Sequence, residues 1–327
     1  MKKIINNISD IEIELLEGLA LANPDIIKKI GNQNIILRAV PNKNKVTLIS
    51  GCGSGHEPAH AGFVGYGMLD CAVMGTIFTS PSPMLLLKGI SEVASEKGVL
   101  CVVKNNFSDN FSFEIAVDMA RSEGIKIEKV LVNDDAFVID AKLGRRGNAG
   151  TILVEKIAGA AAEAGFDLDF VKNVAQKAAD NTRTLAMAIN SCTVPSVGKP
   201  TFEMSEMEME IGISLHGEPG IRPEPLTNAD GIVRKMLDKI LTHIDYTFND
   251  VVLMVNGLGA TPLMELFIVN QFANEYLHRK GVEVYDTMVG NFMTSLDMAG
   301  FSITLLKLDD ELKKFYDAPC KTFALKK

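Results

Sequence analysis

This sequence predicts an α/β fold divided into two domains. Two observations carry the prediction. Short runs rich in Val, Ile and Leu alternate along the chain with longer stretches whose apolar residues recur at three and four, the rhythm of buried strands alternating with helices. The length of 327 residues also exceeds a typical domain of ~150, so each half can bury a core of its own.

Taken in order, VTLIS at 46–50 predicts the first strong strand, and residues 84–96 a helix able to bury the apolar run Met84-Leu85-Leu86-Leu87. VLCVVK at 99–104 predicts a strand, 110–124 a helix and KVLVN at 129–133 a further strand. Residues 151–164 read as a helix whose small side chains suit close packing, and a long helical pattern covers 168–189. The turn-rich SCTVPSVGKP then opens a different series of elements, which places the domain boundary near 185. The two domains are therefore expected at 1–185 and 186–327. In the second, acidic and Met side chains alternate over 206–210 as in a half-exposed strand, VVLMVN at 251–256 and FSITLLK at 301–307 predict strands, and 261–278 predicts a helix.

The balance of 33 basic to 41 acidic side chains, a formal net charge of −8, excludes a basic chain that binds nucleic acid directly. With 47% hydrophobic residues, it is neither disordered nor collagen-like. Cys52, Cys71, Cys101, Cys192 and Cys320 are odd in number and widely spaced, which suggests no disulfide framework and no zinc site. Asn, Asp and Glu interrupt the N-terminal segment, and no apolar run of about 18 residues follows. No export signal or membrane span is expected, and a reducing cytoplasm fits best.

Three loops carrying polar or titratable groups follow predicted strands, where α/β proteins place ligands. In Gly51-Cys52-Gly53-Ser54-Gly55-His56-Glu57-Pro58-Ala59-His60, the glycines permit positive φ and close backbone approach, with His56 and His60 flanking the turn. The spacing is neither a P-loop nor a dinucleotide fingerprint, so this chain is not expected to bind nucleotide alone. In Lys104-Asn105-Asn106-Phe107-Ser108-Asp109-Asn110, Asp109 reads either as a helix N-cap, a role open also to Ser108 or Asn110, or as a buried acceptor for a hydroxyl proton. The third loop, His216-Gly217-Glu218-Pro219-Gly220-Ile221, offers an imidazole as nucleophile or ligand. His243 and His278 are expected on polar helix faces. Asn133-Asp134-Asp135 reads as a solvated turn, Gly144-Arg145-Arg146-Gly147 as a basic cap, and the spacing supplies no third carboxylate, so no metal is assigned.

The strings SGCGSGHEPAHAGFVGYGMLD, FTSPSP, GRRGNAGT, TVPSVGKP, EIGISLHGEPGI, GLGATPLMEL and TSLDMAGFSITLLK occur in order between about residues 40 and 319. They closely resemble the substrate-binding subunit family of dihydroxyacetone kinases. The resemblance implies a two-domain α/β homodimer with dihydroxyacetone lying between loops of both domains. It implies that His216 adds through an imidazole nitrogen to the ketone, forming a covalent hemiaminal. Such a bond suits a ligand this small, whose noncovalent affinity is bounded at about −1.5 kcal/mol per heavy atom. The same resemblance gives Gly53, His56 and Asp109 the task of holding the hydroxyls, with Thr79, Ser80 and Lys104 as neighbouring candidates. In a phosphorylating member, His56 and Asp109 would polarise the hydroxyl that attacks a phosphoryl group, and the nucleotide would belong to a separate ADP-carrying subunit recharged by the phosphotransferase system. No cofactor is expected on this chain.

Several positions depart from the pattern of phosphorylating members. Cys52 replaces a glycine, Thr76 an acid and Met84 an aspartate; Ser108 and Ser214 replace glycines, Gly257 an asparagine, and Phe323 with the terminal Lys-Lys a proline and an aromatic tail. Loss of two acids beside an apolar run suits a site mouth that meets a different partner, while repacking is the plainer explanation. The primary expectation is a dihydroxyacetone-binding coactivator that passes ligand occupancy to a transcription factor of the kinase operon. The alternative is the phosphorylating subunit itself.

Overall fold

The computed structural model describes residues 2–137, 139–140, 144–216, 220 and 222–327. The chain begins with α1 (Ile11–Ala22), β1 (Ile27–Lys29), β2 (Ile35–Arg38), β3 (Thr47–Ser54), β4 (Cys71–Ile77), α2 (Pro83–Val93), β5 (Val99–Lys104), α3 (Phe107–Ser122) and β6 (Ile127–Val132). It continues through the short pair β7 (Ile139–Asp140) and β8 (Gly144–Arg145), helices α4 (Thr151–Glu163) and α5 (Leu168–Asp180), and β9 (Thr182–Asn190). Then come β10 (Glu208–Ile211), β11 (Glu224–Pro225), α6 (Ala229–Ile240), β12 (Asp250–Gly257), α7 (Leu263–Arg279), β13 (Glu283–Gly290), β14 (Ala299–Lys307) and α8 (Asp310–Asp317). The α/β class predicted from the alternation of patterns is the one observed.

These elements form two compact units. The first comprises Ile4–Val132, Thr151–Ala179 and Glu311–Lys327; the second comprises Asn133–Gly150 and Asp180–Asp310 with the first residues of the chain. The single cut expected at residue 185 is corrected. The change of pattern there is a switch from helix to strand: α5 ends at Asp180, and β9 occupies residues that read as its continuation. Leu185, Ala186, Met187 and Ala188 are good helix formers, but pairing with β14 on one side and β10 on the other decides their conformation. The C-terminal tail returns to the first unit, where the Lys321 amide donates to the Tyr66 carbonyl at 2.9 Å.

The first unit is built on a six-stranded sheet of order β1-β2-β4-β3-β5-β6, parallel from β4 to β6. Helices α2 and α3 cover one face, seating Leu86, Leu87, Ile90, Phe113 and Val117 against Ile49, Val73, Val99 and Cys101. Successive strand residues face opposite ways, so Cys52 looks to the other side, where α4 lies against β3 and β5. Every residue of α4 from Thr151 to Ala162 is buried, as its small side chains predict. At Gly159 an added Cβ would sit 2.5 Å from the Gly67 carbonyl oxygen, which explains the glycine.

The second unit has a six-stranded sheet of order β11-β10-β9-β14-β12-β13, antiparallel except for β12 and β13. Helices α6 and α7 bury Val233, Met236, Leu237, Leu266 and Phe272 against Leu185, Leu253, Val255 and Ile303. All five cysteines are buried and free. Among the described residues, no helix is long and apolar enough to cross a membrane.

Candidate functional site

The glycine-rich segment belongs largely to β3, which runs on through Ser54. The three glycines do different work there. Of Gly51, Gly53 and Gly55, only Gly55 has a positive φ, at 100°. Gly53 is needed for close approach: a Cβ would lie 2.5 Å from the Thr79 amide nitrogen, because residues 78–80 fold back over the strand end. The Phe78 amide donates to the Ser54 carbonyl at 2.9 Å, and Ser54 Oγ donates to the Gly75 carbonyl at 2.8 Å, fastening that loop. His56 is fully buried and its ring stacks on Phe78 with centroids 5.1 Å apart. Burial raises the Glu57 carboxyl, opposed by the Gly55 amide, which donates to its oxygens at 3.0 and 3.1 Å.

Beside this platform, β5 ends on Lys104 and α3 begins three residues later. The helix is capped by Asn106, whose side chain accepts from the Ser108 amide, and not by Asp109, Ser108 or Asn110. Asp109 is thereby released from capping. It sits in the first helical turn, 1% exposed, and accepts a hydrogen bond from Ser80 Oγ, which lies 2.9 Å from Ser108 Oγ. Lys104 is completely buried, with its ammonium 4.0 Å from Asp109 Oδ2. Neither Lys104 Nζ nor Asp109 Oδ2 has a hydrogen-bond partner among the described residues. Burial raises the Asp109 carboxyl above the usual carboxylate range, opposed by Lys104, Ser80 and His60. A donor and an acceptor set this far apart suit a hydroxyl, which can accept from the ammonium and donate to the carboxylate.

His60 turns inward to the α4 side. Its Nδ1 lies 2.6 Å from Glu155 Oε1, and both side chains are fully buried. Sequence reasoning named His60 but missed Glu155. The available signal was a Glu-Lys pair interrupting the otherwise apolar GTILVEKIAGAAAEAG.

His216 belongs to the second unit, just beyond β10, and is half-buried. Its amide donates to Ser214 Oγ at 3.2 Å, and Ser295 Oγ donates to the Leu215 carbonyl at 2.6 Å, so the segment leading to the imidazole is latched from two sides. Gly217, Glu218, Pro219 and Ile221 of the same loop lie outside the described residues. Gly53, His56, Ser80, Lys104 and Asp109 all belong to the first unit.

Other expectations are resolved more plainly. His243 lies beyond the end of α6, half-buried, with Nδ1 3.1 Å from Arg145 Nη2, and burial and Arg145 lower it. His278 is exposed on α7. Asp134 and Asp135 are buried and do not form a solvated turn: Asp134 accepts from the amides of Asn148 and Gly150, and Asp135 pairs with Arg146 at 2.8 Å. That arrangement also gives Arg146 a partner in place of a free basic cap. Among the described residues, no three potential ligands gather for a metal.

The departures fall into two groups. Ser108 and Ser214 do not adopt positive φ, so serine replaces glycine there without left-handed strain. Cys52 is buried, its thiol donating to the Gly53 carbonyl at 3.1 Å. Leu86 and Leu87 lie in the core, which accounts for most of the apolar run. Met84 remains 63% exposed, Thr76 is exposed, and at Gly257 a Cβ would lie 2.3 Å from Asn291 Oδ1.

The Dak1 domain family matches residues 17–324, and the chain belongs to it. It is 45% identical to a Listeria innocua protein named PTS-dependent dihydroxyacetone kinase 1, dihydroxyacetone-binding subunit DhaK, over 95% of each chain. It is 39% identical to the dihydroxyacetone-binding subunit of the PEP-dependent dihydroxyacetone kinase of Escherichia coli, over 99% of each. Among solved structures, the dihydroxyacetone kinase operon co-activator Dha-DhaQ superposes with a TM-score of 0.92 at 36% identity, covering 98% of both chains. The family expected from the sequence motifs is therefore confirmed, and its relatives include both kinase subunits and a co-activator.

Proposed function

We propose that this chain captures dihydroxyacetone and reports its occupancy to a protein partner, a transcription factor of the kinase operon. The supporting observation for capture is the buried Lys104–Asp109 pair, whose facing Nζ and Oδ2 have no hydrogen-bond partner among the described residues. Leaving buried polar atoms without partners costs ~1–3 kcal/mol each, and a ligand hydroxyl would offset that cost. In this reading His56 holds a second polar group of the ligand. His216 supplies the covalent anchor: an imidazole nitrogen bonds to the ketone carbon, the carbonyl π bond breaks, and its oxygen takes the proton that the ring gives up. No atom leaves, so the adduct contains one whole ligand molecule. A polyol without a carbonyl cannot form it.

Support for the sensor role comes from the surface beside this pair. Met84, Phe107 and Phe111 are exposed by 63%, 68% and 60% at the starts of α2 and α3, and Thr76 stands where phosphorylating members carry an acid. Loss of two acids beside exposed apolar groups suits a different partner from the kinase's nucleotide subunit. A second reading, the phosphorylating subunit, is favoured by the buried and unstrained His56 and Asp109, the pair that would polarise the hydroxyl. The two separate in one assay. Purified protein is mixed with dihydroxyacetone, the ADP-carrying kinase subunit and its phosphoryl donor chain, and dihydroxyacetone phosphate is followed. Binding without turnover is the expected result; turnover at the rate of an authentic kinase subunit would establish the second reading instead.

A further inference from the structure

Helix α1 presents a carboxylate to the interior. Its buried residues are Glu12 and Leu16, one turn apart, and only Leu16 is the apolar residue expected on a packed face. A buried carboxylate is costly unless it accepts hydrogen bonds. Glu12, 8% exposed, accepts from the Ile77 amide at 2.9 Å, at the end of β4. The segment fastened there runs directly into the site. Phe78 has a φ of 56°, a left-handed conformation that strains a residue with a side chain and persists only where the surroundings over-determine it. Its ring stacks on His56 with the planes 25° apart, and two residues later Ser80 Oγ donates to Asp109. The Thr79 amide closes the bend on the Thr76 carbonyl at 2.9 Å, and Gly75 makes room for it, since a Cβ there would overlap the Thr79 carbonyl oxygen.

We infer that Glu12 is a positioning residue for the dihydroxyacetone site: by accepting the Ile77 amide it holds residues 77–80 in the bend that stacks Phe78 on His56 and brings Ser80 to Asp109. The inference rests on the proposed reading of His56 and Asp109 as holders of the ligand's polar groups. What the bend needs from Glu12 is an acceptor oxygen at the right reach, not a charge. Glutamine supplies both reach and acceptor; aspartate keeps the charge but is one methylene short, and alanine supplies neither.

Three substitutions separate these contributions. Affinity for dihydroxyacetone should stay within about twofold of the unmodified chain in Glu12→Gln and fall about tenfold in Glu12→Asp and Glu12→Ala. Any other order overturns the inference: Asp retained with Gln lost would make charge the contribution of Glu12, and equal affinities in all three would leave it none. In the ligand-free protein, hydrogen exchange at the Ile77 amide should be slow in the unmodified chain and in Glu12→Gln, and at least about tenfold faster in Glu12→Asp. The His56 ring ¹H resonances, displaced by the stacked Phe78 ring, should move toward unstacked values in the same variant. A Glu12→Asp chain that melts at a lower temperature yet keeps its Ile77 exchange and His56 shifts would show a merely structural role and overturn the inference. Failure of the unmodified chain to bind dihydroxyacetone would sink the functional reading, while the exchange rates and ring shifts would still decide whether Glu12 sets the bend.

Discussion

Asp109 accepts a hydroxyl proton only as a carboxylate, and burial lifts its pKa above the ordinary range. The charged fraction therefore falls as pH drops through that raised value. Affinity for dihydroxyacetone is expected to decline on the acid side at a higher pH than an exposed carboxylate would impose, as calorimetric titration across pH can show. Asp109→Asn keeps the shape but removes the acceptor charge, and hydrogen bonds to charged groups contribute ~1.5–3 kcal/mol, so affinity should fall at least about tenfold. An undiminished affinity in that variant would remove Asp109 from the site. The sign at His60 is opposite. Its folded pKa is raised, so its contribution to stability is complete below the unfolded value and is lost as pH climbs through about 10. The motifs made Gly53, His56 and Asp109 legible in the sequence, but not the difference between an N-cap and a buried acceptor. That turned on Asn106, three residues upstream, taking the cap.

Helices α2 and α3 divide their apolar residues between core and surface, and the division makes the mouth of the site separable from its foundation. Leu86 is buried, and its truncation to Ala should cost about 2–5 kcal/mol through the cavity left behind. Met84, 63% exposed two residues before it, should tolerate Met84→Asp within about 0.5 kcal/mol, as chemical denaturation would reveal. That variant restores an acid at the mouth. Dihydroxyacetone binding should survive it while the regulator interaction weakens; a simultaneous loss of ligand binding would tie Met84 to the pocket instead. At the strand end, Gly53→Ala should displace residues 78–80, since the new Cβ would press on the Thr79 amide at 2.5 Å. Most elements were visible as periodicity. β9 was not, because Leu, Ala and Met carry helical preference and only its neighbours β14 and β10 make it a strand.

Across the whole chain, each large sheet takes its strands from one continuous stretch, but the units interleave because α4, α5 and the C-terminal tail join the first unit, which no linker composition announces. The first unit is closed by the tail, which lies against Gly65 and Gly67: a Cβ at these positions would sit 2.3 Å from the Lys321 and 2.4 Å from the Pro319 carbonyl oxygens. Deleting residues 318–327 should therefore lower the calorimetric melting temperature, whereas a dispensable tail would leave it unchanged. At this scale the sequence showed the class, the family and most of the candidate residues, but the discontinuous units became visible only through the pairings that cross between distant segments. The proposed capture joins a covalent bond at the ketone to hydrogen bonds at its hydroxyls. Native intact-mass analysis with dihydroxyacetone, and with glycerol as control, addresses it most directly. The expected spectrum shows one whole dihydroxyacetone retained per chain, no water lost, no glycerol adduct, and no adduct in His216→Ala; an adduct that persists in His216→Ala, or none in the unmodified chain, would contradict the account.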